Sequence, residues 1–300
     1  MTEHRPVLPM PGASPGIPGL THRWDFAPSA VPRWRTRQVI ETVVRHSRLR
    51  PAWQAVRPLT AQAAWTVYFL YAPDGVFAPT HQFALARLRD AGHRLMVVCA
   101  APQPSAIPAE VAGYADAIYW KGLAGYDFSA YAAALREISV RSPHANVMVI
   151  NDSVYGPFTD VRPILEAAPW ELTGMTATPE VENHIQSYAF VLQDVTPARM
   201  RSLASVMFRW TALSQPWDVI AVQETRFARV ASKTMRVGAF WYAQKEHLLD
   251  PTLRRPIELI QAGFPFLKRS LTGKHEALQD VAQIRELLFS LGHPVPPARA

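Results

Sequence analysis

Four short apolar runs, spaced by helix-patterned stretches and closed by polar turns, restrict this 300-residue chain more than any other feature. TVYFLY (66–71), RLMVVCA (94–100), DAIYW (116–120) and NVMVI (146–150) are rich in β-formers and nearly free of polar residues. A strand that is apolar on both faces has to be covered on both, as in a parallel sheet flanked by helices. The intervening text supplies the cover. PTHQFALARLRDAGH carries Phe83, Leu85 and Leu88 and ends at Gly92, a helix C-terminus signal. YDFSAYAAALREI (126–138) is an alanine-rich helix. Strand, helix, strand, strand, helix, strand predicts an α/β fold, a single Rossmann-like domain with a largely parallel central sheet. Such sheets bind ligands beyond the carboxyl ends of their strands. Three polar turns stand there: Asp74-Gly75, Gly125-Tyr126-Asp127 and Asn151-Asp152-Ser153.

Charge separates this body from what precedes it. Residues 1–60 hold nine arginines, no lysine and three acids, whereas the remaining 240 residues carry 22 bases and 21 acids. The net charge of +7 therefore sits almost wholly in an N-terminal arm. A nucleic-acid-binding domain spreads basic residues over its own surface, so a nucleic-acid partner is not expected. Residues 1–32 contain seven of the 27 prolines and little apolar periodicity, which predicts a loosely packed lead. From Arg33 to Arg57, Trp34, Val39, Ile40, Val43 and Val44 recur at helical spacing among arginines. That basic amphipathic helix either lies on an anionic membrane surface or packs on the domain with its arginines in solvent. The expected division is an arm over 1–60, the body over 61–275, and a helix with a Pro-rich tail over 276–300. No apolar run reaches the roughly 18–20 residues of a membrane-spanning helix, and the acid- and proline-bearing start lacks the apolar stretch of a secretory signal. One cysteine, Cys99, rules out an intramolecular disulfide and multi-cysteine metal sites, and fits a reducing cytoplasm.

Several residues have the chemistry for a site, each with a plainer alternative. Asp152, flanked by Asn151 and Ser153 after an apolar strand, either helps hold a divalent cation on phosphates or caps an Asx-type turn. Asp127 beside Tyr126 either caps the helix that it opens or meets a ribose or base edge. Glu180, Glu182 and His184 alternate; on a strand they would share a face, as a metal site or as part of an acceptor-binding loop. Glu224 falls where DVIAVQ reads as a buried strand turning into a helix, and is either a general base or a dipole-favoured acid at a helix start. The phosphate loop G-x-x-x-x-G-K-[ST] and the patterns G-x-G-x-x-G, G-x-S-x-G and H-E-x-x-H are all absent, which removes most kinase, ATPase, dehydrogenase and serine-hydrolase readings.

In order, YAPDGVF, GYDFSAYAAAL, NVMVINDSVYGPF, LTGMTATPE, HIQSYAFVL, QETRFA and GFPFLKRSL resemble the rhamnan synthesis protein F family, bacterial glycosyltransferases of cell-surface polysaccharide assembly. The resemblance spans roughly residues 65–272. It implies a GT-A-like fold and a metal-assisted, inverting transfer of a sugar, rhamnose among the candidates, from a nucleotide-sugar donor to a glycan or lipid-linked oligosaccharide. Carried onto this chain, it gives Asp152, with Asn151 and Ser153 beside it, the divalent cation (Mg²⁺ or Mn²⁺) and the donor diphosphate. Glu224 becomes the base, with Glu182 and Glu180 its rivals. Asp74, Tyr126 and Asp127 meet the nucleotide, and His184, Gln186 and Lys268 lie near the sugar or acceptor. Such an enzyme is expected in the cytoplasm, peripheral on the inner membrane face. The chain departs from the family pattern at Ala72, where the family has Asp, and at Leu123 and Ser129, where it has Asn and Gly. Those departures motivate the alternative of a glycan-binding or scaffold member without turnover.

Overall fold

The computed structural model describes residues 16–31, 34–45, 50–244 and 250–294. Two strands and a helix precede the body: β1 (Leu20–Asp25), α1 (Trp34–Arg45) and β2 (Trp53–Arg57). The predicted alternation then follows as β3 (Ala64–Tyr71), α2 (Pro79–Asp90), β4 (Leu95–Ala100), β5 (Ala117–Lys121), α3 (Asp127–Arg141) and β6 (Ala145–Asn151). The second half adds the two-residue β7 (Val154–Tyr155), α4 (Arg162–Glu166), β8 (Leu172–Thr178), the short β9 (His184–Ile185) and β10 (Ala189–Val195). After α5 (Pro197–Ser202), α6 (Pro216–Val219) and α7 (Thr225–Ala231) comes β11 (Val237–Ala243). The chain closes with α8 (Pro251–Arg254), α9 (Pro256–Gln261), β12 (Leu267–Lys268) and α10 (Val281–Ser290).

The main sheet runs β1-β11-β8-β10-β6-β3-β4-β5-β2, with β9 paired to β8. The pairings of β6 with β3, β3 with β4, β4 with β5 and β8 with β11 are parallel. The antiparallel β10 lies between β6 and β8, so those two also share a direction. The result is the expected α/β architecture with a largely parallel sheet. Alternate residues of each strand point to opposite faces, and both faces are covered. Val67, Phe69, Val147 and Val149 pack with Phe128, Tyr131, Leu135 and Ile138 of α3. On the other face Tyr68, Leu70, Val97 and Cys99 meet Leu85 and Leu88 of α2. That two-sided burial is why the strands read as continuous apolar runs. Gly92, at φ +78°, ends α2 in the left-handed region, and His93 N–H donates to the Leu88 carbonyl at 3.1 Å.

Three expectations about the chain's outline are corrected. First, part of the lead and arm belongs to the sheet. β1 pairs with β11 from Leu20 opposite Ala243 to Asp25 opposite Gly238, and β2 edges the other side on β5. Trp24 stacks on Tyr242 and Trp53 on Tyr119, which helps hold each edge strand to its neighbour. The basic helix is α1 alone, and the segment after it returns as β2. Residues 1–15 lie outside the described residues. Second, α10 is docked, burying Ile284 and Leu288 against Tyr155, Phe158 and Leu271. Parts of the arm over 1–60 and of the tail over 276–300 thus pack on the body. Third, Val219–Glu224 is helical and not a strand, with α6 passing through a π-helical turn, Ile220–Glu224, into α7. Short apolar runs do not distinguish strand from helix, and Pro216 in the first turn favours the helix.

Candidate functional site

The strand order turns outward in both directions from the β3–β6 pair, which makes the ends of these strands the topological switch point, where α/β sheets bind ligands. Tyr71 ends β3 and Asn151 ends β6. Asp152 follows directly, and its Oδ2 accepts from the Tyr71 N–H at 2.9 Å. His81 of α2 stands behind it, with Nε2 3.7 Å from the same oxygen. Arg269 donates through Nη1 to the Asp152 carbonyl at 2.9 Å and lies 3.3 Å from His81 Nε2. Burial raises the Asp152 carboxyl above the ordinary carboxylate range, while the Tyr71 N–H and the Arg269 charge act the other way. Burial, then Arg269, pushes His81 down to about 4, so it is neutral at pH 7. His81 and Arg269 are site residues that the sequence reading missed.

Asn151 fills the Asx role weighed for Asp152. Its Oδ1 accepts from Ser153 N at 3.1 Å and from Ser153 Oγ at 2.5 Å, closing the turn locally. Its Nδ2 donates to Asp127 Oδ2 at 2.9 Å. Asp127 is the first residue of α3 and not its cap, which is Tyr126. Its Oδ1 also accepts from Phe128 N at 2.8 Å, and its Oδ2 from Tyr131 OH at 3.2 Å. Burial, then the charge of Glu224, raises Asp127 to about 6 against these donors.

The loop before Asp127 is built around Lys121, a third residue that the sequence reading missed. Its side chain is fully buried at the end of β5. Nζ donates to the carbonyls of Gly122 (3.0 Å), Ala124 (2.9 Å) and Gly125 (3.0 Å). Burial lowers this amine to about 8, with Asp127 opposing. Gly125 takes φ +78°, and a Cβ there would sit 2.5 Å from Ala212 Cβ, so the loop needs glycine at this point. Tyr126 and Tyr71 stand beside Asp127 and Asp152 in the chain with 42% and 50% exposure. Asp74 lies in the exposed turn after β3, where its Oδ1 accepts from Val76 N.

Glu224 is half-buried at the end of the π-helical turn, a local widening common at functional sites. Its Oε1 accepts from Ser187 N at 3.1 Å, and the next residue, Tyr188, accepts at its carbonyl from Asn151 N at 2.9 Å. One hydrogen-bonded path thus joins Asp127, Asn151, the 187–188 backbone and Glu224. Lys268 borders it, with Nζ 4.2 Å from the centre of the Tyr188 ring.

Glu182 has a different place. It is buried, with Oε2 2.6 Å from Arg229 Nε and Oε1 3.4 Å from Arg35 Nη2. Arg35 Nη2 also donates to Thr225 Oγ1 at 2.6 Å. The Glu180–His184 run is a turn around Val181, at φ +68°, and leaves Glu180 exposed while Glu182 and His184 are buried. The shared face that a metal reading of this run needs does not form. His184 Nδ1 pairs with the Glu182 carbonyl at 2.8 Å, and Gln186 accepts from Thr176 Oγ1 at 2.6 Å inside the sheet. Both side chains are thus engaged by the Glu182 backbone and the sheet.

Among the described residues no group of three or more His, Cys, Asp or Glu side chains is arranged to hold a metal. Asn151 Oδ1 and Ser153 Oγ bond each other, which leaves Asp152 as the carboxylate at the switch point. One carboxylate with phosphate oxygens and water suffices for Mg²⁺. The donor set therefore fits a cation held mainly by phosphate oxygens and water.

No protein-family model and no curated protein matches the chain. Solved structures similar to it in part include the following three. HddC from Yersinia pseudotuberculosis is 11% identical over 60% of this chain and 91% of its own, with a TM-score of 0.37. The inositol-1-phosphate CTP transferase of T. maritima is 11% identical over 68% and 97%, at 0.38. The 4-diphosphocytidyl-2C-methyl-D-erythritol synthase of Anaerococcus prevotii is 10% identical over 67% and 96%, at 0.36.

Proposed function

We propose that the chain is a nucleotide-sugar-dependent glycosyltransferase acting with inversion on a glycan or lipid-linked acceptor in bacterial surface-polysaccharide assembly, with rhamnose among the candidate sugars. The observation that carries this is the hydrogen-bonded path from Asp127 through Asn151 to Glu224, set beside Asp152 at the switch point. The resemblance of the ordered motifs to those of the rhamnan synthesis protein F family gives it its chemical direction.

In this reading Glu224 takes the proton of an acceptor hydroxyl as the oxygen attacks the anomeric carbon. The Ser187 N–H holds one Glu224 oxygen and leaves the other for the proton. Asp127, tied to Asn151, fixes the carboxyl end of β6 and faces the ribose side with Tyr126 and Asp74. Asp152 meets the donor diphosphate. Asp152, together with the diphosphate oxygens, would hold a divalent cation, which would supply Lewis-acid stabilisation of the leaving diphosphate. Lys268 borders the acceptor side, while His184 and Gln186 support the loop behind it from within the sheet.

The test is incubation with a panel of nucleotide sugars, Mg²⁺ or Mn²⁺ and glycan acceptors, beside thermal unfolding with each nucleotide. A donor at about one hundred times its Kd adds about 2.7 kcal/mol of stability. No turnover with any donor and no rise in melting temperature with any nucleotide would overturn the proposal. The engagement of Asp152 by the Tyr71 N–H favours the second reading, a scaffold without turnover. Asp152→Asn separates the two, because a scaffold variant still complements a deletion strain and an enzyme variant does not.

A further inference from the structure

Helix α1 has two unlike sides. Its inner side buries Arg35 and Thr42 and packs Val39 and Val43 on the body. Its outer side presents Trp34 and Ile40, each 58% exposed. Val43 also lines a groove of about 750 Å³ that continues over α3 and α5 to Trp210. That groove brings further exposed apolar surface, Val140 at 71% and Trp210 at 60%.

The cations around this surface set it apart from an ordinary solvated face. Arg45, Arg50, Arg201 and Arg209 are all exposed. Arg50 and Arg209 lie over the Trp210 ring, at 5.4 and 4.4 Å from its centroid. The acids that α1 and the groove lining carry are Glu41 and Glu137, and each is already ion-paired, with Arg37 and Arg141. The surface therefore offers large apolar side chains with a surplus of positive charge around them. An indole with arginines over its ring matches the boundary between lipid headgroups and acyl chains, where an aromatic body is buried and a cation reaches the phosphates.

We infer that the face formed by the outer side of α1, Val140 and the Trp210 loop docks on an anionic lipid surface. No helix among the described residues is long and apolar enough to cross a membrane, so the contact is peripheral. Apolar insertion and electrostatic attraction act together in such binding, and each arginine near an anionic surface adds to it separately. Because Arg35 on the inner side of α1 bonds Thr225, the neighbour of Glu224, the docked helix also supports the candidate base.

The test is sedimentation of the full chain with vesicles of phosphatidylcholine alone and with vesicles that also contain phosphatidylglycerol. Binding is expected only to the anionic vesicles and is released by salt. Ile40→Asp and Val140→Asp each weaken it at least tenfold. Arg201→Gln with Arg209→Gln weakens it roughly 30-fold, while Phe289→Asp, at an exposed site on α10, leaves it unchanged. Thermal unfolding confirms that each variant is folded, and the arginine pair is the decisive arm if an aspartate variant is not. Equal binding to both vesicle types, or unchanged binding by the folded arginine variant, overturns the inference. So does loss of a concentration-dependent dimer in these variants with no vesicle binding, because the occupant is then a second copy of the chain. The readout needs no nucleotide, so its failure is distinct from failure of the glycosyltransferase reading.

Discussion

Replacing Glu182 by Gln distinguishes its structural role from the catalytic one for which it was a rival. Its carboxylate faces Arg35, whose side chain is 4% exposed, and Arg229, whose side chain is 28% exposed. The substitution keeps the volume but removes the only carboxylate paired with either cation among the described residues. Breaking a buried ion pair by removing one partner costs about 3–5 kcal/mol, because an uncompensated charge stays behind. At about 2–4 °C per kcal/mol for a domain of this general size, the melting temperature should fall by roughly 6–20 °C. The lower end is expected, because the glutamine oxygen still accepts from Arg229. The assay is thermal unfolding of Glu182→Gln beside Arg35→Met and the double variant. Removing Arg35 together with Glu182 takes away the more deeply buried of the stranded cations, so the double variant should be more stable than the sum of the singles implies. A Glu182→Gln protein that melts within about 2 °C of the parent yet has no turnover would refute this. Glu182 would then be the base, and the assignment to Glu224 would fall.

Three further outcomes follow from the site. Glu224→Gln should lower turnover by about 10²–10⁴-fold, with the melting temperature and its rise on adding nucleotide retained, since the amide oxygen still accepts from Ser187 N–H. The raised Asp127 holds its proton more tightly in the folded state than in the unfolded one. Its contribution is therefore largest at low pH and is lost as pH rises from the ordinary carboxyl range through about 6. Urea unfolding of the parent and Asp127→Asn across that range should show the variant gaining relative to the parent up to about pH 6 and then holding level. Lys121→Met leaves the Gly122, Ala124 and Gly125 carbonyls without their shared donor, and each one that water does not reach costs about 1–3 kcal/mol. Nucleotide affinity, read by calorimetry, should fall with stability, because the Gly125–Asp127 loop loses its support.

The sequence was most legible where burial on both sides left no choice of residue. The β3, β4, β5 and β6 runs and the helices after β3 and β5 are visible in the text because they form the centre of the sheet. The edge strands were not, because β1 and β2 keep much of their surface exposed and read as a polar arm. At the site, the three turns at the strand ends could be placed, because turn chemistry is local. Their partners could not: Arg269 reaches Asp152 across 117 positions, and Arg35 reaches Thr225 across 190. Lys121 left a usable signal, a lone cation closing an otherwise apolar strand just before a glycine. The helical Val219–Glu224 segment was misread because an apolar stretch of that length carries no period of its own.

The pairing of β1 with β11 also bears on how the protein is made. Leu20 finds its partner at Ala243, 223 positions further along the chain. Translation at about 5–20 residues per second delivers that partner roughly 10–45 s after the first strand has left the ribosome. Through that interval the Trp24 ring has no Tyr242 to stack on, and the strand has no neighbour on the sheet. The nascent protein can complete its centre, β3 to β6, well before it can close this edge. Stalled or prematurely terminated chains would carry a formed core with an open flank, the kind of intermediate that chaperones bind and proteases remove.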